Sequence, residues 1–147
     1  EEVHRIPMLV NIPGEGPKCY EDLSSLLDVY PTILDAAEID IPEDTHGRSF
    51  MNEELPPREY VVSEFHGLNS VPLAMRTVRS GNMKYGWTCC LEELYDLESD
   101  PHELINLADD PDMYEVLNTF RYQLLECMKE SKDPIFKQYE RTLRNLD

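Results

Sequence analysis

Residues 92–112 read EELYDLESDPHELINLADDPD, a run with nine carboxylates and no lysine or arginine. Asp96, Glu98 and Asp100 alternate as the acids of a calcium loop do. Such a loop also needs a glycine at its sharp turn and a bidentate glutamate at a fixed end position. Here Pro101 and His102 stand where the chain must fold tightly, and the stretch contains no glycine. It therefore reads as structure. Leu94, Tyr95 and Leu97 form a last strand, Asp100-Pro101 makes a turn, and Glu103 ties the turn's free amides. Asn106-Leu107 then leads to Asp110-Pro111, aspartate at a helix cap and proline at the first helical position.

Upstream of this phrase lie short strands. Tyr60 to Phe65 is β-rich and ends at His66-Gly67, residues 74–79 alternate, and Ser80-Gly81-Asn82 is a hairpin turn ahead of residues 83–87. Strands joined by connections this short pair antiparallel. Downstream, Met113, Val116, Leu117, Phe120, Leu124 and Met128 recur at helical spacing and make one apolar stripe able to cover a sheet face. A shorter helix starts at Asp133-Pro134 and runs through Phe136, Tyr139 and Leu143. The expected class is α+β, a four-stranded antiparallel sheet packed with a C-terminal helix.

The N-terminal third is different. Residues 5–12, RIPMLVNI, are continuously apolar, as in a strand buried on both faces of a parallel sheet, yet no partner strands are evident. The chain enters almost directly on this segment, without an initiator methionine or a helix cap, which predicts a piece of a longer protein. Asp28 caps a helix with Pro31 in its first turn, whose face Tyr30, Ile33, Leu34 and Ala37 is expected to dock. Residues 39–57 read as a loop. The predicted division is 1–57, the last strand, helix and connecting loop of a larger α/β domain, and 58–147, a sheet-plus-helix subdomain.

At 147 residues with 41% apolar content the chain can bury a core. Its net charge of -17 argues against nucleic acid and anionic membrane as partners, since both would repel it. No apolar run approaches the roughly 18 residues of a membrane span, and no signal-peptide pattern is present. Cys19, Cys89, Cys90 and Cys127 lack paired zinc spacing, and their usage assigns no compartment.

Several segments, in order, resemble the sulfatases of the alkaline-phosphatase-like superfamily. RIPMLVNIPG is similar to that family's Arg-(Val/Ile)-Pro strand and Pro-Gly turn, and residues 26–35, LLDVYPTILD, to its Pro-Thr helix start. Gly47-Arg48-Ser49-Phe50 resembles its Gly-x-Ser loop, and residues 75–85 with ELYDLESDPHELINLADDP resemble its closing hairpin and signature. Two positions depart from the pattern: Glu38 and His102 stand where the family often has glycine.

The resemblance implies a large N-terminal α/β domain followed by a small antiparallel-sheet domain, with this chain as the C-terminal portion. It implies sulfate ester hydrolysis by a formylglycine made in a (Cys/Ser)-x-Pro-x-Arg motif, with calcium screening the sulfate. None of the four cysteines begins that motif. The expectation is thus no catalytic and no metal residue here, no cofactor in this portion, and no activity without the N-terminal catalytic domain as partner. The substrate implied for the full-length enzyme is a sulfated small molecule or sugar. His66, at the end of the first sheet strand, is the one candidate substrate-binding residue, placed in a loop that in the family can face the cleft. Alternatives are a phosphate or phosphonate ester hydrolase, and an assembly module dimerising through the unpaired strand at 5–12.

Overall fold

A computed structural model of the chain describes residues 3–12, 14, 16–17, 19–52, 54–67, 73–89 and 91–144. Cys90 and Pro13, the proline of the expected Pro-Gly turn, lie outside these residues. The chain divides into two units, Glu2–Val61 and Val62–Asp147.

The sheet has strands β1 (Val61–Phe65), which from Val62 on belongs to the second unit, then β2 (Met75–Ser80), β3 (Met83–Thr88) and β4 (Glu92–Asp96) of that unit, in the order β1-β2-β3-β4. The β2–β3 and β3–β4 pairs are antiparallel. The two-residue turn between β2 and β3 carries Gly81 at φ 51°, a left-handed conformation that glycine adopts without strain. Register then sets the faces: Arg76 lies opposite Trp87, Val78 opposite Tyr85, and Tyr85 opposite Leu94. All five of these side chains are at most 1% exposed, so this is the core face.

Helices α2 (Tyr114–Glu130) and α3 (Phe136–Arg144) belong to the same unit. Asp110 accepts the Asp112 amide at 3.0 Å and starts the short 3-10 turn that leads into α2. Leu117, Phe120, Leu124 and Met128 form its buried stripe, as their spacing predicts. Tyr85 meets Phe120 with ring centroids 6.3 Å apart, and Trp87 meets Tyr139 edge-on at 4.8 Å.

In the first unit, a 3-10 turn at Leu26–Asp28 runs into α1 (Val29–Ala36). Ser25 and Asp28 form a capping box, so Asp28 acts from inside the first turn and Ser25 is the cap. The face expected to dock is not covered by the described residues. Tyr30 and Ile33 are 55% and 62% exposed, whereas Asp28, Pro31 and Thr32 are buried. The helix instead packs its small and polar side on the 47–50 loop, where Thr32 Oγ1 accepts the Phe50 amide at 2.9 Å. A Cβ on Gly47 would collide with the Leu27 carbonyl, which explains the glycine. Past α1, Glu38 takes φ 56°, the left-handed helix end that glycine ordinarily fills, so the helix stops as the glycine pattern would stop it.

The strand expected at residues 5–12 is not formed. This segment carries no ladder, and Leu9 is 98% exposed. A strand needs a hydrogen-bonding neighbour, and the described residues supply none to it.

Candidate functional site

The end of β1 positions the one sequence-derived candidate. Gly67, at φ 82°, turns the chain immediately after His66. His66 Nε2 lies 3.2 Å from Glu64 Oε2, and the two side chains are 58% and 38% exposed. His66 Nδ1 faces Arg76 Nη2 at 3.5 Å. The histidine is thus accessible, with an acid at one nitrogen and a cation at the other.

Behind it stands a buried ion pair. Arg76 and Asp133 side chains are both 0% exposed, with Nε donating to Oδ2 at 2.5 Å and Nη2 to Oδ1 at 3.0 Å. Arg76 Nη1 donates to the Phe65 and Met75 carbonyls at 3.2 and 2.9 Å. Asp133 Oδ1 also accepts the Ile135 amide at 2.8 Å at the approach to α3. The guanidinium therefore ties the end of β1, the start of β2 and the α2–α3 connection together. Burial alone would raise the Asp133 carboxyl, but the Arg76 hydrogen bonds and the Ile135 amide hold it below the ordinary aspartate range.

A second polar network lies on the core face. Arg121 donates to both Glu92 oxygens, at 2.9 and 2.6 Å, and Tyr85 Oη donates to Glu92 Oε1 at 2.6 Å. Tyr85 and Tyr139 hydroxyls are 3.0 Å apart, and Tyr139 Oη donates to the Arg121 carbonyl at 3.1 Å. Burial opposes ionisation of Glu92, yet the Arg121 and Tyr85 hydrogen bonds hold its carboxyl low. Burial, followed by the neighbouring Tyr139 and Glu92, pushes Tyr85 far up. Glu92 stays charged and Tyr85 neutral, so the network locks helices to sheet and has no group ready to exchange a proton.

The acidic phrase is committed to structure. Asp96 accepts the Glu98 amide and the Ser99 hydroxyl, and Asp100 accepts the Ile105 amide at 2.8 Å. Glu103 does not tie the turn amides as expected. Its carboxylate takes Lys84 Nζ at 2.7 and 2.9 Å, because Lys84 sits nearly buried on β3 and needs an anion. Asn106, read in the sequence only as part of the lead to the helix cap, does the tying: Oδ1 accepts the Leu94 and Ala108 amides and Nδ2 donates to the Glu92 carbonyl, each at 3.0 Å.

Among the described residues no group of three or more His, Cys, Asp or Glu could hold a metal ion. Within the acidic phrase, Asp96, Asp100 and Glu103 are already engaged by amides, a hydroxyl and a lysine. In the first unit, a shallow cleft lined by residues such as Tyr20, Arg48 and Phe50 contains Asp28. That carboxylate is saturated by the Ser25 and Arg48 amides and by bidentate Arg58 at 2.7 and 2.8 Å. It is a bracket for the loop. His46 and His102 are exposed.

Residues 1–130 match the family model described as N-sulphoglucosamine sulphohydrolase, C-terminal. The chain is 35% identical over 126 residues to arylsulfatase K of Bos taurus, covering 74% of the chain and 23% of that enzyme. It is 33% identical over 147 residues to a Delta 4,5-hexuronate-2-O-sulfatase of Bacteroides thetaiotaomicron, covering 90% of the chain and 30% of that enzyme. A solved 2-O GAG sulfatase superimposes with a TM-score of 0.66 at 35% identity, over 72% of the chain and 25% of the other. The chain thus spans under a third of the length of these curated relatives, 23% of one and 30% of the other.

Proposed function

The chain belongs to the sulfatase family, matching the C-terminal part of its members, and on that premise we propose that the protein carrying it hydrolyses the sulfate ester of a sulfated sugar. The observation that carries this reading is the family match running through residues 1–130 together with 33% identity to a hexuronate sulfatase over nearly the whole chain. Residues 1–57 are read as closing elements of the large α/β domain and 58–147 as the small subdomain. Formylglycine and calcium are assigned to that larger domain, which is the chain's partner, and no chemical step is assigned to residues 1–147. His66 is read as a substrate contact, supported by its 58% exposed ring beside a rigid clamp.

The test is turnover by the intact protein of an aryl sulfate against an aryl phosphonate. Preference for the sulfate is expected; preference for the phosphonate would move the protein to the phosphate and phosphonate ester hydrolases. The 147-residue chain alone is expected to turn over neither. Self-association of the isolated chain through residues 5–12 is favoured by one observation, Leu9 at 98% and Val10 at 53% exposure on a segment without a ladder. A monomer by light scattering at high concentration would exclude it.

A further inference from the structure

We infer that Arg76 is a positioning residue that fixes the tautomer of His66, so that the ring turns an Nε2–H donor outward. A guanidinium has five N–H groups and no acceptor. Two of them meet Asp133 and Nη1 meets two backbone carbonyls, which leaves one Nη2 hydrogen, and that nitrogen lies 3.5 Å from His66 Nδ1. Facing a donor-only cation, Nδ1 offers its lone pair, and a proton there would oppose both the donor and the positive charge. The other nitrogen gives the same answer independently. Nε2 lies 3.2 Å from a carboxylate oxygen of Glu64, an acceptor that calls for a proton on Nε2.

The Arg76 side chain cannot swing away to serve another tautomer. It is 0% exposed and held by Asp133, which is itself fixed by the Ile135 amide. The histidine accordingly meets an incoming oxygen as a hydrogen-bond donor, and in its neutral form it is not poised to abstract a proton through Nε2. This inference deepens the reading of His66 as a substrate contact and, in its functional consequence, rests on it.

The experiment is a two-bond proton–nitrogen correlation spectrum of the 147-residue chain labelled with 15N-histidine, at a pH of about 8, above the ordinary imidazole range. His66→Gln assigns the ring. Wild type is expected to show the Nε2–H form; a dominant Nδ1–H form or an even mixture overturns the inference. Glu64→Ala removes only an exposed acceptor and is expected to leave the Nε2–H form in place. Reversion to a mixture would overturn the role of Arg76. In folded Arg76→Lys combined with Glu64→Ala, where the single lysine nitrogen cannot span Asp133, two carbonyls and His66 and the carboxylate at Nε2 is gone, a share of the Nδ1–H form is expected, and a spectrum unchanged from Glu64→Ala alone overturns the role of Arg76. An unchanged KM in His66→Gln of the intact enzyme would sink the substrate contact while leaving the tautomer result standing.

Discussion

Replacing Asp133 by alanine isolates the energy of the clamp behind His66. The substitution leaves Arg76, whose side chain is 0% exposed, charged and without its carboxylate. Breaking a buried pair from one side costs about 3–5 kcal/mol, because the surviving charge has lost both water and partner. Domains of this size are stable by about 5–15 kcal/mol, and each kcal/mol moves Tm by about 2–4 °C, so the fall should be about 6–20 °C. Urea unfolding followed by circular dichroism at neutral pH measures the loss in kcal/mol, and thermal unfolding the fall in Tm. Arg76→Met with Asp133→Leu should recover only part of the loss. An apolar pair removes the stranded charge, but the Phe65 and Met75 carbonyls and the Ile135 amide lose their partners, at about 1–3 kcal/mol for each group left unsatisfied. An Asp133→Ala protein within about 1 kcal/mol of wild type would refute the reasoning, since the pair would then have to be hydrated.

Asn106→Ala should cost about 2–3 kcal/mol in the same assay, since it removes partners from the Leu94 and Ala108 amides and the Glu92 carbonyl, while Asn106→Asp keeps the acceptor and should cost less. Glu38→Gly should raise stability by up to about 1 kcal/mol in thermal unfolding, because Glu38 bears a left-handed φ of 56° that glycine adopts freely. Glu103→Ala should lower stability by about 2 kcal/mol by stranding Lys84, yet calorimetric titration with calcium should give no saturable binding in either protein; stoichiometric binding by wild type would reopen the acidic phrase as a metal site.

The sheet and α2 were legible because their signals are local. Alternation, the Gly81-Asn82 turn and the stripe from Leu117 to Met128 each lie within a few residues of chain. What the sequence concealed is long-range pairing. Arg76 looks like a solvent-facing arginine on an alternating strand until register places it beside Trp87 on the core face, with its partner 57 residues away. Asp28 likewise reads as a helix cap, while the residue that neutralises it, Arg58, lies 30 positions on. The segment at 5–12 has the composition of a buried strand, but composition cannot supply the neighbour that makes a strand. His66 was visible as a loop histidine; Glu64 and Arg76, which flank it, gave no signal beyond their charge, and Asp133, which holds Arg76, read only as a helix start.

The most direct test of the division of labour proposed for this chain is the kinetics of His66→Gln in the intact enzyme. If the chain contributes substrate contact and no chemistry, losing one hydrogen bond worth about 0.5–1.5 kcal/mol should raise KM about 2- to 10-fold and leave kcat within about twofold. A collapse of kcat at unchanged KM would contradict the account, for it would place His66 in the chemical step.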